Sequence, residues 1–461
     1  METINKNPQC NGKGNILQAG FCRSDITPPL GVNVAGYFKV RIAEEILDPL
    51  EVNCLCLACG EEKIALVSVD HLHLKRPVVD PLREEIAQVT GLPVSAIFIH
   101  CTHTHTAPFA DLEHENPRNR EFTQMLMRKT VDTVVLALKD LQPARMGYAV
   151  GQAPNVAFVR RFRMKDGSVQ TNPGVDNPNI LAPIGDVDER INVLRFDRVN
   201  DSIVLMNFGC HPDVVGGNRI SCDWPGFARR TLERAIPGTK GIFFNGAQGD
   251  VNHVNVHPRG GYLNDLENDF DDVTRGYGHA RFMGRVVAGG VMQVYDKVQY
   301  VDVNTLRFAQ KTIRVPSNMP DPKDLPEAHR INDLHNAGLD AQLPYKGMML
   351  TTKVAGAARM VRLEHGPEAF PMTLSAVSVG DIAMIGIPGE PFNGIGRGLK
   401  NAEGWDLVLP CCLTNGSEGY FPMQDAYDEG GYEASTSNFK AGVAELLIVE
   451  GTKLLQELKN G

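Results

Sequence analysis

The stretch Ile97-Phe98-Ile99-His100-Cys101-Thr102-His103-Thr104-His105-Thr106-Ala107-Pro108 decides how this chain reads. Its first half is apolar and β-branched, which predicts a buried strand. On an extended chain, side chains at i and i+2 point to one side, so His103 and His105 are expected to aim two imidazoles into one pocket at the strand's end. Imidazole is the commonest side-chain ligand of catalytic metals, and the pair marks a candidate metal centre.

Outward from that stretch, strand-like runs alternate with helical patterns. Ile64 to Val69 predicts a strand ending in Asp70, followed by a helix around Leu82 to Val89. Glu121 to Leu141 predicts an amphipathic helix, with Met125, Leu126, Val131, Val134, Val135 and Leu138 near helical spacing. Further strands are expected at Ile203 to Phe208, Gly241 to Phe244, Ile382 to Ile387 and Leu407 to Leu409. Further helices are expected at Trp224 to Ala235, Tyr277 to Tyr295 and Phe439 to Leu458. The alternation predicts an α/β fold without solenoid repeats. Residues 1–18 read as an N-terminal tail and 19–461 as one domain. The segment 315–345 is rich in Pro, Asp and Asn and carries the turn signal Met319-Pro320-Asp321-Pro322, so it reads as a linker or excursion.

Bulk properties exclude several classes. A net charge of −9 over 461 residues disfavours a general nucleic-acid binder, because phosphate backbones attract Lys and Arg. No apolar stretch approaches membrane-span length, so stable membrane insertion is not expected. The polar start Met1-Glu2-Thr3-Ile4-Asn5-Lys6-Asn7-Pro8 has no apolar signal region, and the 10 Cys follow no disulfide-scaffold spacing. Both point to reduced thiols in a cytoplasm. The expected partner is a small-molecule substrate, with oligomeric state left open.

Each apolar run stops at unusual polar residues: Asp70-His71, His103 and His105, His211-Pro212-Asp213, Asn245 through Asp250, Glu390-Pro391, and Thr414-Asn415-Gly416 leading to Tyr420. In open α/β sheets ligands bind beyond the carboxyl ends of strands. Two His-bearing ends and one Glu-bearing end supply a His/His/carboxylate set, which suits zinc with an open position for water. Each residue alone has an ordinary reading. A strand-end His is commonly structural, Glu390 after Pro-Gly is a turn carboxylate, Asp250 is a turn former, and Tyr420 is a half-buried aromatic. His71 and His73 repeat the spacing but read as a surface strand end.

In order along the chain, Thr102-His103-Thr104-His105, Asn207-Phe208-Gly209-Cys210-His211-Pro212, Asn245-Gly246-Ala247-Gln248-Gly249-Asp250-Val251, Ile387-Pro388-Gly389-Glu390-Pro391 and Tyr432-Glu433-Ala434-Ser435-Thr436 resemble the neutral/alkaline, non-lysosomal ceramidase family. The likeness runs from about Gly20 to the C-terminus. It implies mixed sheets flanked by helices, as in a ceramidase catalytic domain, and a zinc-dependent amidase that cleaves an N-acyl bond. It implies one catalytic zinc ion (Zn2+) held by His103, His211, Glu390 and Tyr420, with Tyr427 as the fallback phenol. It also implies His105 beside the metal and Arg160, in Val159-Arg160-Arg161-Phe162, near the scissile carbonyl.

The chain departs from the family pattern at three places. Asn252 replaces a serine. The family's C-terminal immunoglobulin-like domain and secretion signal are not expected. The segment from Phe158 to Asn172 replaces a shorter turn. These departures point away from ceramide as the substrate. The Arg160, Arg161, Arg163 and Lys165 cluster reads either as a sign of a small polar or anionic substrate or as an ordinary solvated hairpin. The expected chemistry is hydrolysis of an amide or ester by metal-activated water, with His105 transferring protons, Arg160 stabilising the oxyanion, and Asp70 or Asp250 orienting an imidazole. The alternative is a non-catalytic binding protein that keeps the pocket without the chemistry. Metallo-β-lactamase-like proteins fit worse, because Thr106-Ala107-Pro108 follows His105 where they carry HxHxDH. Amidohydrolase barrels place such a pair on their first strand, whereas here a strand at 64–69 precedes it.

Overall fold

Three sheets repeat one arrangement: three antiparallel strands, then a helix, then a strand parallel to the third. The computed structural model describes residues 16–258 and 275–460. In the first sheet the antiparallel strands are Gln18–Asp25, Glu51–Cys59 and Glu62–Val69; helix Arg76–Thr90 then leads to Ile97–Cys101. In the second they are Arg145–Gln152, Arg190–Asp197 and Ser202–Phe208, with helix Asp223–Ala235 leading to Thr239–Asn245. In the third they are Leu306–Pro316, Ala369–Val379 and Ile382–Gly386, with helix Asn393–Lys400 leading to Leu407–Cys411.

The parallel strands are apolar on both faces because both faces are covered. Along Glu51–Cys59, Cys54 and Cys56 pack towards helices Arg76–Thr90 and Pro117–Lys139, while Leu55 and Leu57 point the other way. Helices Asp223–Ala235 and Tyr277–Tyr295 cover the second sheet, and Asn393–Lys400 and Val443–Asn460 the third. The inner faces meet in one core, where Leu55, Leu66 and Phe98 join Leu205 and Phe244 of the second sheet and Val377, Met384 and Leu409 of the third. Each such buried side chain contributes about 1.5–3 kcal/mol.

A polar hub ties the three units where their strands end. His100 Nδ1 donates to the Cys412 carbonyl at 2.7 Å, and its Nε2 accepts from the Asn245 N–H at 2.8 Å. Burial pulls this imidazole down to about 3, which keeps it neutral, and only a neutral ring can donate through one nitrogen and accept through the other. Asn245 Nδ2 in turn donates to the carbonyls of Thr102 and Cys210 at 3.2 and 3.1 Å.

Several expectations shift. The helix expected near Leu82 starts at Arg76, because Pro77 sits in its first turn, where a missing N–H costs nothing, and Pro81 is accommodated inside it. The C-terminal helix starts at Val443, since Phe439 is held in a bridge to Ser317. The segment at 315–345, expected as a linker or excursion, carries a helix of its own. Helix Leu325–Asn336 lies in it and packs on helix Gly347–Leu363 through Ala328, Ile331, Val354 and Ala357. Residues 1–15 of the expected tail lie outside the described residues; Leu17 is buried and Gln18 opens the first strand. Among the described residues no helix is long and apolar enough to cross a membrane.

Candidate metal centre

The strand carrying the histidine pair ends at Cys101, before either imidazole. His103 lies in the turn beyond it with φ 78°, a left-handed conformation in which His, Asn and Asp are enriched among non-glycine residues. Its N–H bonds the His71 carbonyl at 2.8 Å, and Nδ1 donates to the Leu72 carbonyl at 2.9 Å. His103 Nε2 then stands 3.2 Å from His105 Nε2. The two rings do share one pocket, but a turn brings them there, and strand alternation does not.

The second and third units supply the other donors. His211 follows strand Ser202–Phe208, and its Nδ1 donates to the Gln248 carbonyl at 2.8 Å. Glu390 follows strand Ile382–Gly386. Its Oε2 lies 3.2 Å from His103 Nε2 and 3.1 Å from His211 Nε2. Glu390 pairs in parallel with Tyr420, whose Oη is 3.5 Å from His211 Nε2. Tyr427 points elsewhere, its Oη donating to the Phe439 carbonyl at 2.7 Å and lying 3.0 Å from Ser437 Oγ. His103, His211 and Glu390 are buried, and His103, His105 and His211 offer ligand nitrogens within 4.8 Å of one another.

The protonation pattern tests whether a cation fits. A carbonyl oxygen only accepts, so His103 and His211 each carry their proton on Nδ1, and a neutral ring then has its lone pair on Nε2. Burial, with Arg160 nearby, pulls the His211 imidazole down to about 4, so it is neutral. Burial alone would raise the Glu390 carboxyl, yet His103 and His211 hold it well below the usual range, so it is ionised. His103 Nε2, His211 Nε2 and Glu390 Oε2 thus face one another at little more than 3 Å. Arg160 Nη1 reaches His211 Nε2 at 3.3 Å and Gln248 Nε2 reaches Glu390 Oε2 at 3.4 Å. A divalent ion would fit among these donors, and a nitrogen/carboxylate donor set suits zinc.

Arg160 is clamped beside the cluster. Its Nε pairs with Glu433 at 2.7 Å, Nη2 donates to the Gly249 carbonyl at 2.6 Å, and the guanidinium lies 5.3 Å from the Tyr420 ring. Burial opposes its charge, but Tyr420 and Glu433 raise its pKa above the ordinary arginine value. Asp250 stands one shell further out. Its carbonyl accepts from the Arg160 N–H at 3.0 Å, and its carboxylate accepts from the Asn393 N–H at 2.7 Å.

Three expectations about neighbours are corrected. Asp70 is engaged with Arg229 at 2.6 Å, and neither it nor Asp250 orients a ligand imidazole; backbone carbonyls do so. Arg161 and Arg163 are both paired with Glu429, so they are not a free basic patch for an anionic substrate. His71 and His73 are no surface strand end: His71 is fully buried and His73 partly so. Asn252 turns away from the cluster, donating to Asn172 Oδ1 at 2.9 Å and accepting from the Val254 N–H at 3.0 Å. Glu433, Tyr37 and Arg275 were given no role by sequence reasoning. Glu433 lies far along the chain from Arg160, and no local pattern announces such a pair.

Neither the scan of family models nor the search of curated proteins finds a match to this chain. Among solved structures, a neutral ceramidase from Pseudomonas aeruginosa superposes with TM-score 0.72 and 14% sequence identity, covering 97% of this chain and 75% of that one. A structure described as ceramidase complexed with C2 gives TM-score 0.70 and 14% identity, covering 97% of this chain and 76% of that one. The chain therefore has a ceramidase-like fold and spans about three quarters of those chains.

Proposed function

We propose that this protein is a zinc-dependent hydrolase that cleaves an amide or ester bond, with His103, His211, Glu390 and Tyr420 holding the ion. The observation that carries the reading is the convergence of two imidazole Nε2 atoms on one carboxylate oxygen within 3.2 Å, brought together from the strand ends of three different sheets. When bound, the ion supplies Lewis acidity towards a carbonyl oxygen and lowers the pKa of water from about 15.7 towards roughly 7.

The chain's own residues do the rest. His105 Nε2 faces the cluster and takes a proton from the attacking water, then returns it to the leaving atom. Arg160 Nη1 presents a fixed positive charge to the oxygen that becomes negative, with Glu433 holding the guanidinium in place. Asp250 acts through position, fixing the Arg160 backbone and the start of helix Asn393–Lys400. The proposal stops short of ceramide, because Asn252 stands where the resembled family has a serine and its side chain is engaged elsewhere. Cytoplasmic residence is part of the reading, supported by the free cysteines among the described residues.

The test is hydrolysis of a panel of N-acyl amides, esters and lactones by zinc-loaded and chelator-stripped protein. Turnover that is lost on stripping and restored by zinc supports the proposal. Tight binding without turnover across the panel would instead mark a binding protein.

A further inference from the structure

We propose that Asp213 is the positioning residue for the His105 imidazole, completing an Asp-His dyad aimed at the metal centre; this rests on the hydrolase reading above. His105 Nε2 faces His103 Nε2 at 3.2 Å, so its Nδ1 points away from the cluster. That Nδ1 is buried and makes no hydrogen bond, and Asp213 Oδ1 stands 3.6 Å from it. A buried N–H without a partner is costly, and catalytic hydrogen bonds are often long before substrate is bound.

Asp213 is held from its other sides. Tyr37 Oη donates to Oδ1 at 2.6 Å, and Arg275 Nη1 lies 2.9 Å from Oδ2. The loop behind it is fixed as well, since the Asp223 carboxylate accepts from the Val214 and Val215 N–H groups, each at 2.9 Å. The His105 N–H bonds the Pro212 carbonyl at 3.3 Å, so the dyad's two backbones are joined. In His211-Pro212-Asp213, one tripeptide therefore carries both a metal donor and the group that aims the proton carrier. Tyr37 adds the hairpin bridged at Asn33 and Ile42, where Gly36, with φ 107°, leaves space beside the ring; a Cβ there would lie 2.9 Å from His105 Nδ1.

The chemistry balances. A carboxylate only accepts, so Asp213 fixes the proton on Nδ1 and leaves the Nε2 lone pair facing the substrate. The water oxygen bonds to the carbonyl carbon and one of its protons moves to Nε2. The carbon–nitrogen bond then breaks with its electron pair on nitrogen, which takes that proton, and the ring returns to neutral. While the ring is cationic, Asp213 is the adjacent negative charge.

The experiment compares wild type, Asp213→Asn, Tyr37→Phe and His105→Ala as zinc-loaded proteins. Histidine-selective 15N NMR reads the His105 tautomer, using His105→Ala to assign the signal. Wild type is expected to show the proton on Nδ1, with Asp213→Asn moving population towards Nε2–H at unchanged zinc content. On N-acyl alkylamides, Asp213→Asn is expected to lower kcat about 10²-fold or more with KM within about threefold. The loss should shrink on an acyl nitroanilide, whose leaving group needs less help from a proton. Tyr37→Phe, which keeps the carboxylate, should show the same pattern more weakly. An unchanged tautomer and kcat in Asp213→Asn, with His105→Ala inactive, would overturn the dyad alone. Full turnover by His105→Ala would overturn the proton-transfer role of His105 and the dyad with it, whereas no turnover of any of these substrates by the zinc-loaded wild type would overturn the hydrolase reading beneath it.

Discussion

His71-Leu72-His73 and His103-Thr104-His105 follow two neighbouring parallel strands with identical spacing, yet they do different work. His71 is sealed in the fold: its Nδ1 contacts the His73 carbonyl at 2.9 Å and its ring stacks on Phe122, with centroids 6.1 Å apart. Burial pulls it to about 4, so it is a neutral structural imidazole. The second pair leaves its strand through a left-handed residue, and Thr104 Oγ1 pins the turn by donating to the Ser221 carbonyl at 2.6 Å. The spacing alone therefore says little. The path of the backbone past the strand end decides which pair meets the partners from the other two sheets.

The largest effect expected from this contrast is on the second pair. His103→Ala or Glu390→Ala should lose zinc and hydrolysis by more than the about 10–100-fold that outer partners of metal ligands cost. Elemental analysis and turnover check this, and full zinc occupancy with wild-type turnover in either variant would break the comparison. Arg160→Gln comes next, with kcat falling about 10²–10³-fold. It also strands buried Glu433, at roughly 3–5 kcal/mol of stability by chemical denaturation. Pairing it with Glu433→Gln should recover much of the stability and none of the turnover, which separates the guanidinium's two roles.

His71→Ala sharpens the contrast from the other side. It should cost roughly 1–3 kcal/mol of stability while zinc content stays at the wild-type level. The smallest effect is a pH slope. Burial raises the Asp250 carboxyl to about 6, so the native state binds this proton more tightly than the unfolded chain does. Its contribution is fully present below about pH 4 and is lost as pH rises through about 6. Asp250→Asn lacks that loss and should gain stability relative to wild type between those pH values, as read by paired denaturation curves.

How much was legible follows from what is local. The helix at Tyr277–Tyr295 and the parallel strands were readable because their apolar periods are set by burial on defined faces. Leu306–Pro316 was not, since Arg307, Gln310, Lys311, Thr312 and Arg314 scatter polar residues over both faces of this outer strand. Helix Leu325–Asn336 hid behind Pro326, which reads as a breaker although it sits in the first turn. At the site, His103, His105, His211 and Glu390 could be picked out because each interrupts an apolar run. The left-handed turn at His103 and the Arg160–Glu433 and Tyr37–Asp213 contacts could not, because each depends on segments far apart in the chain.

The central claim is that strand ends from three sheets enclose a single divalent ion. Anomalous diffraction at the zinc edge from zinc-soaked crystals tests it most directly. The account predicts one peak about 2.0–2.2 Å from His103 Nε2, His211 Nε2 and a Glu390 carboxylate oxygen. A peak at other residues, or no peak there at saturating zinc, would contradict it.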